Sequence, residues 1–234
     1  FSTWKTDFTS LAFSPVGEPY VAFTDYALGQ KATVMKYSGV GWVNVGAAGF
    51  TLHQAAWIDL AFSKYGEPYI AYASYGPGTG GQCNVMKFSG INWEVVGRPD
   101  FSADMAWYIS FAFSPSGVPF VVYMDNSIPY RATAMKLTGP NWVNVGTPGF
   151  TPGDAGWLSL AFSPSGEEPH VAFEDDYNSI KASVMKFDGT NWVFVGRSGF
   201  SEGEAYSTSL AFSPSDQPWV AFEDQANSNK ATVM

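Results

Sequence analysis

Five strings recur along the chain at a spacing of roughly 50 residues: Leu11-Ala12-Phe13, Leu60-Ala61-Phe62, Phe111-Ala112-Phe113, Leu160-Ala161-Phe162 and Leu210-Ala211-Phe212. A fixed period constrains a fold more than any single motif. Each unit must fold alike, and each buries its apolar faces only by packing on its neighbours. The units run over about residues 1–49, 50–100, 101–149, 150–199 and 200–234. No Pro/Ser-rich linker or shift in composition interrupts them, so residues 1–234 read as a single domain.

Within a unit, four short apolar runs alternate with turn residues. In the fourth copy these are Leu158–Phe162, His170–Asp175, Lys181–Phe187 and Trp192–Gly196, here called strands a, b, c and d. They are rich in Val, Phe and Trp and bounded by Gly, Pro, Asn and Asp, which is strand chemistry. Five four-stranded antiparallel meanders predict an all-β, five-bladed β-propeller. An open solenoid of stacked units is the rival architecture. Strand c carries Met35, Met86, Met135, Met185 and Met234, placed to fill gaps between twisted sheets. Strand d opens on Trp42, Trp93, Trp142 and Trp192, expected to cover the outer edge of a blade.

The fifth copy stops in its third strand, at Lys230, Ala231, Thr232, Val233 and Met234, so the fifth blade is expected to lack its outermost strand. An unpaired strand edge recruits another strand. These residues are therefore either a truncation point or an assembly edge. The first residue is Phe1 rather than Met, which suits a processed chain or a fragment.

Antiparallel order puts the a–b and c–d turns at one end of the blades and the b–c and d–a loops at the other. The first set is nearly uniform, as in "SPVGEP", "SPSGVP" and "SPSDQP". The second set is varied, and binding residues favour such loops on a rigid scaffold. Its candidate ligand-binding residues are Trp57, Trp107, Tyr108, Trp157 and Tyr206, with the acids Asp104, Asp154 and Glu202. At the end of strand b stand Asp25, Asp125, Asp175 and Asp224, with Ser74 in the second copy. Strand c begins with Lys31, Arg131, Lys181 and Lys230, and with Gln82 in that same copy. Acid and base leave together, which suggests an ion pair pinning the loop, worth at most about 1 kcal/mol if exposed. The functional alternative is a polar grip on sugar hydroxyls, repeated blade by blade.

Composition excludes several classes. The net charge of −9 would repel a nucleic acid. No apolar run reaches the roughly 18–20 residues of a spanning helix, so membrane insertion is not expected. The lone Cys83 stands where other copies have Ala and reads as a small buried residue. His53 and His170 are isolated, and no metal-ligand spacing, nucleophile elbow, phosphate loop or dinucleotide fingerprint occurs. No cofactor or metal is therefore expected. A glycosidase needs two carboxylates in different environments, whereas most acids here recur at equivalent places. Catalysis is the least favoured reading.

The strings "LAFSPSG" at 160–166, "PYVAF" at 19–23, "KATVMK" at 31–36 and "NWVNVG" at 141–146 resemble the tandem propeller repeats of secreted bacterial surface proteins. In blade number and repeat length the chain is also similar to five-bladed lectins of the tachylectin type. The first resemblance implies an extracellular or cell-surface setting, and the second implies sugar binding at several sites. The expected function is a non-enzymatic binding or adhesion module with repeated shallow sites for carbohydrate or another surface ligand. The alternative is a structural subunit that self-associates by strand complementation.

Overall fold

A computed structural model describes residues 2–234. The chain is an all-β five-bladed propeller. The first blade comprises β1 (Thr6–Phe13), β2 (Pro19–Asp25), β3 (Lys31–Tyr37) and β4 (Trp42–Asn44). The second comprises β5 (Gln54–Phe62), β6 (Pro68–Gly76), β7 (Thr79–Phe88) and β8 (Trp93–Val95). The third is β9 (Ala106–Phe113), β10 (Pro119–Asp125), β11 (Arg131–Thr138) and β12 (Asn141–Asn144). The fourth is β13 (Ala155–Phe162), β14 (Pro169–Asp175), β15 (Lys181–Phe187) and β16 (Trp192–Phe194). The fifth has three strands, β17 (Ala205–Phe212), β18 (Pro218–Asp224) and β19 (Lys230–Val233). Each sheet is a meander whose sequential strands are neighbours. By packing, the chain divides into two compact units, residues 1–111 with 138–142 and residues 112–137 with 143–234.

Blades pack face to face through both sides of their middle strands, which is why strands b and c are largely buried. In the first unit Tyr20, Ala22, Val34 and Val45 of one blade meet Ile58, Leu60, Ile70 and Tyr72 of the next. In the second unit Ala172, Ala182 and Val184 meet Leu210, Val220 and Phe222. Met86, Met135 and Met185 are buried, and the Tyr72 and Tyr123 hydroxyls reach the Met86 and Met135 sulfurs at 3.5 and 3.4 Å. The last copy, Met234, is 51% exposed.

The repeated Trp of strand d does something the sequence did not suggest. It does not cover an outer edge; it inserts toward the preceding blade. The Trp93, Trp142 and Trp192 indole N–H groups donate to the carbonyls of Val45, Val96 and Val145 at 2.8, 3.0 and 2.8 Å. Each indole also stacks on the Phe that opens its own unit. The pairs are Phe50–Trp93, Phe101–Trp142 and Phe150–Trp192, with ring centroids 4.3, 4.6 and 3.9 Å apart.

Three boundaries differ from the sequence reading. Strand a begins earlier, at Ala155 rather than Leu158 in the fourth blade, because a bulge keeps it paired further. Strand d ends at Phe194 rather than Gly196, where Gly196 takes a φ of +71° and turns the chain. The second b–c connection is not an open loop. β6 and β7 continue until Gly76 pairs with Thr79 across Pro77-Gly78. Proline at the first turn position and glycine at the second, with φ of +84°, suit a tight type II turn.

The insertion of Trp142 between blades sets a graded expectation. Trp142→Ala should cost about 3–5 kcal/mol in urea unfolding, as for other buried aromatic truncations. Trp142→Phe keeps a ring on Phe101 but strands the Val96 carbonyl, and should cost about 1–3 kcal/mol. Equal losses would mean that the indole hydrogen bond contributes nothing.

Candidate functional site

The varied end of the blades is organised by a feature repeated in strand a. Phe8, Trp57, Tyr108, Trp157 and Ser207 occupy equivalent positions and have φ of 49°, 53°, 49°, 46° and 53°. L-residues with large side chains rarely adopt this left-handed region. The strand register shifts there: between Asp7 and Ser10, Ala56 and Asp59, Gly156 and Ser159, and Tyr206 and Ser209. Two residues of strand a thus oppose one of strand b, a β-bulge that re-aims the side chain it carries. Trp57, Tyr108 and Trp157 were expected on loops; they stand inside strands, as do Trp107 and Tyr206.

In the first unit the bulged rings meet. Phe8 and Trp57 have centroids 4.7 Å apart, and Trp57 and Tyr108 are 4.5 Å apart, tilted by 50° and 52°. All three are half-buried or more exposed. Polar groups flank this row. The Trp107 indole donates to the Tyr75 hydroxyl at 3.0 Å. The Tyr26 hydroxyl donates to Asp7 at 2.7 Å, and Lys5 pairs with Asp7 at 3.0 Å. These contacts hold the Asp7 carboxyl below its usual range. Deeper in the same blades Asp59 accepts from Ser10 Oγ at 2.8 Å and from the Leu60 and Phe111 N–H groups at 2.9 and 2.8 Å. Burial still raises its carboxyl above the ordinary value.

In the second unit Trp157 is 40% exposed. Its carbonyl accepts from Thr208 Oγ1. Glu174 pairs in register with Gly156, and one of its carboxylate oxygens is buried without a partner. Burial, then the charges of Asp176 and Glu204, push the Glu174 carboxyl up to about 7. Tyr206 donates to Glu204, which raises the phenol to about 12. Asp154 and Glu202 are exposed, and Asp104 is half-buried, with one oxygen accepting from Met105 N–H at 2.8 Å.

The strand-b acids have a different role from the expected ion pair. Asp25 and Lys31, Asp125 and Arg131, Asp175 and Lys181, and Asp224 and Lys230 are register partners across strands b and c. Their carboxylates nevertheless turn inward and are buried. Asp25 accepts from Ala27 N–H at 3.0 Å and from Thr33 Oγ1 at 3.2 Å. Asp125 and Asp224 repeat this with Ser127 and Thr133, and with Ala226 and Thr232. Asp175 accepts from Asn178 and Ser183 at 2.8 and 2.6 Å and leaves Oδ1 buried without a partner. The hydroxyls of Thr33, Thr133 and Ser183 then accept from the N–H of Gly49, Gly149 and Gly199. The relay ties the b–c loop to the d–a loop. In the second blade Asn84 stands in the hydroxyl position and bonds both ways with Asp100, at 2.7 and 3.0 Å. Strand-c lysines pair instead with a–b turn acids: Lys36 with Glu18, Lys87 with Glu67 and Lys186 with Glu168.

The remaining sequence candidates fall as follows. Cys83 is buried, and burial raises its thiol well above the ordinary value. His170 packs edge-on to Phe212 at 5.0 Å, and burial lowers its pKa. Among the described residues no three His, Cys, Asp or Glu side chains converge as a metal site requires. Lys230, Ala231, Thr232, Val233 and Met234 lie on the free side of the fifth sheet, with Val233 59% exposed.

No family model matches the chain, and no curated protein matches it. Solved structures share its fold. A protein of unknown function from Dyadobacter fermentans aligns over 95% of this chain and 76% of its own, with a TM-score of 0.64 and 14% identity. The Aleuria aurantia lectin, solved with Fucα1-6GlcNAc, covers 93% and 72% with a TM-score of 0.62 and 12% identity. A thermostable family-43 glycoside hydrolase covers 93% and 83% with a TM-score of 0.57 and 11% identity. At such identities the likeness is one of fold.

The Glu174 environment predicts a pH dependence of stability. Its folded pKa of about 7 exceeds the ordinary value of 4.5, so the folded state binds more protons between these values. Stability from this group is full below about pH 4.5 and falls as pH rises toward 7. Glu174→Gln should flatten that fall in thermal unfolding at pH 5 and pH 8. An unchanged pH slope would contradict the assignment.

Proposed function

We propose that the chain is a non-enzymatic extracellular module that binds carbohydrate at shallow sites repeated from blade to blade. The observation that carries this reading is the row of bulge-held aromatics. Phe8, Trp57 and Tyr108 form that row, and Trp157 holds the equivalent position in the fourth blade; all four are partly exposed in a backbone conformation that costs free energy. Aromatic faces stack on the apolar face of a sugar ring, while phenols, carboxylates and amides bond its hydroxyls. Tyr75, Asp7 and Tyr26 supply such groups beside Phe8, Trp57 and Tyr108. The solved lectin and glycosidase of the same fold add support at the level of architecture. The extracellular setting rests on the resemblance of the repeats to secreted surface proteins.

The strand-b acids drop out of this proposal as direct ligands, since all four are buried. Hydrolysis is the rival reading, and Glu174 favours it, because a carboxyl neutral near pH 7 can protonate a leaving oxygen. A glycan array with the isolated chain tests binding. Trp57→Ala should lower affinity for the retained glycan about tenfold or more while leaving the unfolding midpoint within a few degrees. Incubation with that glycan should release no new reducing ends. No retention of any glycan at millimolar concentration rejects binding, and steady release of reducing ends replaces the module with an enzyme.

A further inference from the structure

The strand-c lysines share one arrangement, and the third blade lacks half of it. Lys36, Lys87 and Lys186 pair with the glutamate just before strand b of their own blade, which is Glu18, Glu67 and Glu168, at 3.8, 3.5 and 2.7 Å. In the third blade that position holds Val118. The amine of Lys136, the equivalent lysine, lies 6.0 Å from the centroid of the Phe120 ring, much as that of Lys36 lies 5.8 Å from the Tyr20 ring. The two amines are thus placed alike, but among the described residues no carboxylate forms an ion pair with Lys136. Lys136 is exposed, whereas its three counterparts are half-buried.

Lys136 lines a cavity of about 400 Å³ whose walls all belong to the second compact unit. Phe120, Val145, Pro169 and Phe187 make those walls largely apolar. The fourth a–b turn, SPSGEEP, is one residue longer than SPSGVP of the third. Its extra residue, Glu167, crosses to the third blade and accepts from the Ser116 N–H and Oγ at 2.7 and 2.8 Å. Glu167, Glu168 and Asp188 also line the cavity, and each carboxylate already has donors. Lys186 holds Glu168 at 2.7 Å, and the Asn191 and Thr190 N–H groups donate to Asp188 at 2.8 and 2.9 Å. Those backbone bonds keep the Asp188 carboxyl below its usual range. Lys136 is the charged group of this lining that has no ionic partner among the described residues.

We propose that this cavity binds a small monocarboxylate with an apolar body, of the size of an arylalkanoic acid. The carboxylate of the ligand pairs with Lys136 and takes the part of the glutamate that the third a–b turn lacks. Its apolar body lies against Phe120, Val145, Pro169 and Phe187. The volume falls within the range of small-molecule sites, roughly 300–1,000 Å³. A carboxylate held between apolar walls is screened less by water and salt than one on an open surface. The three acids of the lining repel a second negative charge, so phosphates and dicarboxylates are disfavoured. The cavity lies at the end of the blades that carries the a–b and c–d turns, away from the strand-a bulges. This inference does not depend on sugar binding.

The test is isothermal titration of the intact chain with 3-phenylpropionate, with the uncharged 3-phenylpropan-1-ol and the more highly charged phenyl phosphate alongside. The expected result is saturable binding of the carboxylate at millimolar concentration or below, and binding of the other two weaker by about tenfold or more. Lys136→Met keeps the aliphatic stem but loses the charge, and should weaken the carboxylate by about tenfold. Val118→Glu supplies the missing acid within the chain, and should weaken it to a similar degree by occupying the amine. Unfolding midpoints within a few degrees of the parent chain verify that both variants fold. Absence of saturation, equal affinity for the alcohol or the phosphate, or unchanged affinity in either folded variant overturns the proposal.

Discussion

One directional contact sets the relation between neighbouring blades: an indole N–H donating to a carbonyl of the blade before it. Burial of apolar area drives blades together, but it is non-directional and tolerates sliding of one sheet over another. A buried hydrogen bond does not, because a displaced indole would leave both the N–H and the carbonyl unsatisfied. The Trp93–Val45 bond spans 48 residues and the Trp142–Val96 bond spans 46. Each indole thus reaches a carbonyl just under one repeat back along the chain. The Phe beneath each indole fixes the tilt, since stacked rings such as Phe50 and Trp93 are only 5° from parallel.

A second constraint acts at the loop end. Each blade must bury the backbone where the chain passes from strand b to strand c and from strand d to the next strand a. In the first, third and fourth blades the acid–hydroxyl–amide relay gives partners to buried groups of both loops. The second blade shows that geometry rather than residue identity is maintained. Ser74 replaces the acid of strand b, Asn84 replaces the hydroxyl, and the carboxylate reappears at Asp100 on the far side of the relay. The charge has moved across the relay and the two loops stay tied.

The period, the four strands per unit and the three-stranded last blade were legible in the sequence because each rests on local composition and spacing. The roles of particular polar and aromatic residues were not. Asp25 and Lys31 do face one another across two strands. The carboxylate turns into the loop, where the Ala27 N–H and the Thr33 hydroxyl donate to it, so proximity in register did not become a pair. Trp142 opens a short strand at the blade edge, and sequence alone suggests a cover for that edge. Its actual partner, Val96, lies in another unit of the repeat, which no window on one unit reveals. The bulge was hidden for a different reason. It depends on φ at residues whose type argues against that φ.

That last point bears on what the aromatics are for. All five blades carry the left-handed residue in strand a, so the bulge belongs to the scaffold and not to a single site. In the fifth blade the position holds Ser207, with φ of 53° like the others. The backbone therefore does not require an aromatic there, and a smaller side chain accepts the same conformation. Phe8, Trp57, Tyr108 and Trp157 are in this sense additions to the bulge rather than its cause. A large ring in strained backbone, left partly exposed, gains less from burial than one placed in the core. What it gains instead is a fixed orientation toward the varied end of the blade. A preorganised aromatic face of this kind loses little entropy when a flat apolar ligand settles on it.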